Sequence, residues 1–119
     1  MSFEWSHLEF FDKSEFGPHA DKMSEDLLTR LDMIRRDAGV PMYITSSYRE
    51  GDDKAHGKGY AVDVSDNVHG DEVSSRWRLL VVSAALEAGI RRCGVYDRHI
   101  HLDVWPEGPQ DVMWWNKSR

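Results

Sequence analysis

The stretch RHIHLDV, residues 98–104, alternates polar and apolar side chains and constrains the fold more than any other segment. Successive side chains of a β-strand point to opposite faces, so its aliphatic residues can enter a core from one face. His99, His101 and Asp103 then project together from the other face, which makes that face a candidate site. A solvated sheet face can carry the same residues without a function, so this segment alone does not decide between the two interpretations.

The remaining periodicities predict two helices. Ser24 is a suitable N-cap, and apolar residues follow it at helical spacing as far as Gly39. A second apolar stripe runs from Val73 to Ala88 and stops at Gly89, a residue that favours helix ends.

Runs rich in β-branched and aromatic residues predict four strands. Asp97-Arg98 favours a hairpin turn between the third and the fourth. The predicted strands are MYITSSY (42–48), YAVDV (60–64), IRRCGVY (90–96) and HIHLDVW (99–105). The order helix, strand, strand, helix, strand, strand lacks regular β-α alternation. It predicts an α+β fold with a small, mostly antiparallel sheet and the helices on one face, within a single domain spanning residues 1–119.

Composition excludes several classes of function. The formal net charge of -6 argues against non-specific binding to the phosphate backbone of nucleic acids. No segment approaches the roughly 18 apolar residues of a membrane span, and the N-terminus lacks a basic region of the kind that opens a signal peptide. We therefore expect a soluble, monomeric chain made in the cytoplasm, without a nucleic-acid or membrane partner.

The segment HGKGYAVDV adds a second candidate. Gly57 and Gly59 allow the chain to bend so that His56 returns beside Asp63 on the following strand, although glycine-rich loops often only turn. Cys93 is the only cysteine, so a metal site must use histidines and carboxylates; Cys93 itself is expected to be buried. Two imidazoles and one carboxylate from separate segments form the ligand set of an open tetrahedral zinc site, with the fourth position left for water.

Three segments, ITSSYRE, HGKGYAVD and HIHLDV, resemble the M15 zinc peptidases, a family of D-alanyl-D-alanine carboxypeptidases and endolysins. That family shares its fold and metal site with lysostaphin-type peptidases and the hedgehog signalling domain. Its pattern SxHxxGxAxD, followed much later by a histidine in a strand, is matched at His56, Gly59, Ala61, Asp63 and His101, and the resemblance covers roughly residues 7–105. It implies a hedgehog/DD-peptidase-like fold and Zn²⁺ held by His56, Asp63 and His101.

The chain departs from the family pattern at two positions. Lys54 replaces the serine before the first histidine, and Arg98 replaces the glutamate that many members carry three residues before the last ligand. The resemblance then implies that Asp97 acts as general base and acid, or that His99 takes this role or steadies the oxyanion. It also implies that Arg49 anchors a substrate carboxylate, for which its planar fork is suited.

The resemblance implies hydrolysis of an amide bond in peptidoglycan stem peptides, either as an L-alanyl-D-glutamate endopeptidase or as a D-alanyl-D-alanine carboxypeptidase. A phage lysis enzyme that reaches the cell wall would fit this activity. Asp103 is expected to hydrogen-bond a ligand imidazole rather than to bind the metal. The alternatives are a non-catalytic zinc-binding module of the same fold and a metal-free structural domain, for instance in a phage tail.

Overall fold

The structure is a computed structural model that describes residues 3–116. Its helices are α1 (Glu25–Ala38) and α2 (Ser75–Glu87), and its strands are β1 (Tyr43–Ser46), β2 (Ala61–Ser65), β3 (Arg92–Tyr96), β4 (Ile100–Asp103) and β5 (Val112–Asn116). The strands form one sheet in the order β1-β2-β4-β3-β5. All neighbouring pairs are antiparallel except β3 and β5, which are parallel. The prediction of an α+β fold with a mostly antiparallel sheet is confirmed.

Capping residues define both helices. The Ser24 hydroxyl accepts a hydrogen bond from the Leu27 backbone N–H at the start of α1, and Gly39 ends it with a left-handed φ of 65°. The second helix begins later than its apolar stripe predicts, because Ser74 caps it and Val73 donates its backbone N–H to the Asp97 carbonyl instead.

Both helices cover the same face of the sheet. Val62 and Val64 on β2 lie opposite Leu102 and Ile100 on β4, and all four are fully buried. They form one core with the buried helix residues Leu27, Leu28, Leu31, Ile34, Trp77, Val81, Ala84 and Ala85. Each buried Leu or Val side chain contributes about 1.5–3 kcal/mol, so this face fixes the register that turns the alternate residues toward the other side.

The predicted strand bounds need correction in several places. The first strand ends at Ser46 rather than near Tyr48, because its register shifts between Ile44 and Ser46 and the next residues leave the sheet. The fourth strand begins at Ile100, so His99 belongs to the preceding turn.

Strand β5 was not predicted from the sequence. Its run VMWW has no polar alternation, and its partner β3 precedes it by a long connection through Pro106 and Gly108. Among residues 3–116, no helix has both the length and the apolar character to cross a membrane.

Candidate metal centre

Four adjacent strands place one residue each in a row across the sheet face that the helices leave uncovered. Asp63 on β2 lies opposite His101 on β4, which lies opposite Gly94 on β3, which in turn lies opposite Trp114 on β5. Asp63 is buried and His101 is half-buried. The alternation of HIHLDV therefore has the predicted result: its aliphatic residues enter the core and His101 faces Asp63.

The glycine-rich loop brings His56 to the same place. His56 lies in a short 3-10 helix, Ala55–Lys58, and is buried. A Cβ on Gly57 would lie 1.6 Å from the Asp52 carbonyl oxygen, and Gly59 has a φ of 76° with its Cβ direction blocked by the Lys22 carbonyl oxygen. Glycine is required at both positions by close backbone approach, and at Gly59 also by conformation.

The ligand atoms of His56, Asp63 and His101 lie within 4.8 Å of one another. Asp63 Oδ1 is 3.5 Å from His56 Nε2 and 3.1 Å from His101 Nδ1. Ligand atoms at neighbouring corners of a tetrahedral zinc site are separated by about 3.4 Å, given metal–ligand distances of about 2.0–2.2 Å. These three side chains can therefore hold a metal ion with little rearrangement.

Hydrogen bonds on the far side of each imidazole select the nitrogen that faces the cluster. His56 Nδ1 lies 2.8 Å from the Ser47 carbonyl oxygen, which can only accept, so the proton of His56 is on Nδ1. His101 Nε2 lies 2.5 Å from Asp103 Oδ2. His56 Nε2 and His101 Nδ1 are thereby left to act as ligands, and Asp103 lies where the sequence analysis expected it, on a candidate ligand imidazole.

The cluster also sets the charge of its members. Burial raises the pKa of the Asp63 carboxyl, but hydrogen bonds and charge interactions with His101 and His56 in their protonated forms outweigh burial and bring that pKa well below its ordinary value. Burial lowers the pKa of His101, yet its contacts with Asp103 and Asp63 raise it overall. Asp63 is thus an anionic ligand at neutral pH.

The two candidate acid/base residues lie in different surroundings. His99 Nε2 is 3.9 Å from Asp63 Oδ1, and its ring stacks on Tyr96 with centroids 4.4 Å apart. Burial, the largest effect, lowers the pKa of His99. Asp97 lies in the β3–β4 turn and lines a separate groove of about 630 Å³, together with Arg78 and Trp115. The structure therefore places His99 beside the candidate ligands and Asp97 beside this groove.

Arg49 lies at the rim of the cluster, with its side chain 49% exposed. Its Nη2 is 3.3 Å from Asp63 Oδ2, and its Nε donates to the Ser46 hydroxyl at 3.0 Å. The guanidinium therefore contacts the carboxylate oxygen that does not face the imidazoles, while about half of the side chain remains accessible to a solute.

Three contributors to this arrangement were not predicted from the sequence. The Ser47 carbonyl orients His56, Arg92 pairs with Asp103, and the Tyr96 ring supports His99. A backbone carbonyl leaves no signal in a sequence. Arg92 could have been found, because period two in RCGVY places it with Gly94 on the polar face. Cys93, on the opposite face, is buried as expected, and burial raises the pKa of its thiol to about 11.

Compared with known proteins, the chain matches no family model, no curated protein and no solved structure.

Proposed function

We propose that this protein is a zinc-dependent peptidase that hydrolyses an amide bond in peptidoglycan stem peptides, of the L-alanyl-D-glutamate or terminal D-alanyl-D-alanine type. One observation carries the proposal. Two imidazole nitrogens, each selected by a hydrogen bond on the other side of its ring, face one carboxylate oxygen at distances that suit a tetrahedral ion. The resemblance of the three motifs to M15 peptidases adds the substrate class.

His56 Nε2, Asp63 Oδ1 and His101 Nδ1 would hold the ion through three protein ligands. Three ligands leave a coordination position for water or substrate, whereas structural zinc sites are usually closed by four. Zinc bound there would make water acidic enough to lose its proton near neutral pH and would polarise the scissile carbonyl.

His99 is the residue best placed to move the proton. Its Nε2 points toward the cluster, and stacking on Tyr96 fixes the ring plane. A neutral imidazole there can accept a proton from the attacking water and return it to the leaving amine. Asp97 remains the second candidate, since its charge acts on His99 even though the residue lines the neighbouring groove.

Arg49 would bind an anionic group of the substrate. Its guanidinium is held by Ser46 and Asp63, and its Nη1 lies 3.8 Å from Asp52 Oδ2, but the side chain is half-exposed, so N–H donors remain that can pair with a substrate carboxylate at the rim of the cluster. Stem peptides offer such carboxylates at D-glutamate and at the terminal D-alanine. We place this activity at the bacterial cell wall, as in a phage lysis enzyme.

Digestion of defined muropeptides by the zinc-loaded protein, followed by mass spectrometry, tests the proposal. We expect release of one new amine per cut and loss of this activity in His56→Ala and His101→Ala, because each variant removes a ligand. His69→Ala is the matched control, since His69 is exposed in a polar turn outside the cluster. A wild-type protein that binds zinc and releases no amine from any muropeptide contradicts the proposal.

A non-catalytic zinc-binding module is the second candidate. It is favoured by Arg98 at the position of the usual glutamate and by the location of Asp97 on the separate groove. The two candidates differ in their response to His99→Ala, which should leave zinc binding intact. In the peptidase, this change lowers the rate of muropeptide cleavage; in the binding module, there is no cleavage to lose.

A further inference from the structure

We infer that Arg92 and Asp103 are positioning residues that keep the proton of His101 on Nε2 and so present Nδ1 as the metal ligand. The inference rests on the metal site of the proposed function and does not require peptide hydrolysis. It assigns a role to two buried, charged residues that lie outside the candidate ligand set.

Asp103 has acceptor contacts on both carboxylate oxygens. It is 1% exposed, and its Oδ1 accepts hydrogen bonds from Arg92 Nε at 2.6 Å and from the Trp105 backbone N–H at 3.0 Å. Its Oδ2 faces His101 Nε2 at 2.5 Å. An ionised carboxylate can only accept, so the proton in this last contact belongs to His101.

Arg92 holds the Asp103 carboxylate in place. The two residues are opposite each other on β3 and β4, and Arg92 is 8% exposed. Its guanidinium lies 5.4 Å from the Trp105 ring and 5.3 Å from the Trp114 ring, and Nη1 donates to the Pro109 carbonyl at 2.6 Å. Two indoles and a backbone carbonyl thus hold the cation beside the carboxylate, and breaking such a buried pair leaves an uncompensated charge.

The contact with Asp103 determines whether the other nitrogen of His101, Nδ1, is free to bind a metal ion. Nδ1 lies 3.1 Å from Asp63 Oδ1, a distance at which an Nδ1 proton could instead be donated to Asp63. A protonated Nδ1 cannot bind a metal ion, because its lone pair is used. The contact with Asp103 is shorter and favours the tautomer with the proton on Nε2. The Arg92–Asp103 pair therefore leaves Nδ1 unprotonated already in the metal-free protein.

Asp103→Asn tests the inference with a change of nearly equal volume. One oxygen becomes an NH₂ group, so a donor must face either Arg92 Nε or the Nε2 proton of His101. We expect zinc affinity, measured by competition with a chromophoric chelator, to fall about 10–100-fold. In ¹⁵N NMR spectra of the imidazoles, wild-type His101 should carry its proton on Nε2, both with zinc and without it above the imidazole pKa, whereas the variant should show Nδ1 protonation.

Asp111→Asn is the matched control. It breaks the exposed ion pair between Asp111 and Arg91, the residue that precedes Arg92, and Asp111 does not contact His101. Zinc affinity within threefold of wild type in a folded Asp103→Asn protein would overturn the inference. The wild-type spectrum decides the matter even if that variant does not fold: a proton on Nδ1, or zinc bound through Nε2, also overturns it. Absence of muropeptide cleavage bears only on the proposed function, because neither readout uses a peptide.

Discussion

Asp63 is the residue around which the candidate site is assembled. Imidazole nitrogens of His101, His56 and His99 lie 3.1, 3.5 and 3.9 Å from the same carboxylate oxygen, and Arg49 contacts the other oxygen. A buried carboxylate is costly unless such partners satisfy it. The Arg49 guanidinium, together with the imidazoles when they are protonated, offsets the charge of Asp63, and an ion bound there would take the place of the imidazole protons.

At the residue scale, we predict that His99 and His101 titrate on opposite sides of 6.5 in the metal-free protein. Burial lowers the pKa of His99; for His101, hydrogen bonds with Asp103 and Asp63 outweigh burial and raise the pKa. Since the folded-state pKa of His101 is raised, its contribution to stability is fully present below the unfolded value of 6.5 and is lost as pH rises through the raised value.

An NMR titration of the imidazole resonances measures both values, and the same titration in urea should bring them together because unfolding removes both environments. If the two histidines titrate together in the folded protein, the contacts described for them do not form in solution.

At the residue scale, the sequence predicted which residues form the candidate site, but it did not predict how their side chains are oriented. His56, Asp63 and His101 were selected by motif spacing and strand alternation, and the structure brings them together. Which imidazole nitrogen faces the cluster depends on the Ser47 carbonyl and the Asp103 carboxylate, and these contacts exist only after folding. The position of Asp97 on the separate groove likewise depends on the geometry of its turn.

Strands β3 and β5 form the aromatic side of the site. Trp114 lies against Gly94, and its Nε1 donates to the Tyr96 hydroxyl at 2.9 Å, while Tyr96 stacks on His99. The Trp114 ring is also 5.4 Å from the His101 ring. These contacts link the edge strand to the candidate catalytic histidine.

At the element scale, we predict that Gly94→Ala destabilises the protein by about 1–3 kcal/mol, because it overpacks this junction. The new Cβ would lie 2.5 Å from Trp114 Nε1 and 2.7 Å from its Cε2, so the indole must move away from the sheet. Urea unfolding of the metal-free protein measures the change.

A double-mutant cycle with Trp114→Ala supplies the control for Gly94→Ala. Removal of the indole opens the space that the methyl group needs, so the same glycine substitution should cost much less in that background. Equal destabilisation in both backgrounds would locate the effect in the β3 backbone and contradict the packing argument.

The helices were easier to predict than the sheet. Ser24, Gly39 and the apolar stripes act locally, and α1 has the predicted caps. Strand ends depend instead on partners that are distant in sequence: β1 stops where its register with β2 shifts, and β4 starts only after Tyr96 and His99 close the turn. Strand β5 was missed because its strand character comes from pairing with β3 rather than from alternation.

For the whole molecule, the hydrophobic core and the candidate metal site lie on opposite faces of one sheet. The core lies under both helices, and the polar cluster lies on the opposite face, with its members drawn from the 55–58 loop, β2 and β4. Because β4 is distant in the chain from the other two segments, the site exists only in the folded protein, and metal binding must then stabilise the folded state. The sequence predicted this division because the alternation of one strand already encoded both faces.

The most direct test of the account is anomalous diffraction at the zinc absorption edge from crystals of the zinc-loaded protein. We predict one strong peak about 2.0–2.2 Å from each of His56 Nε2, Asp63 Oδ1 and His101 Nδ1. A zinc ion bound elsewhere, or no peak among these three atoms in a folded protein exposed to excess zinc, would contradict the central claim.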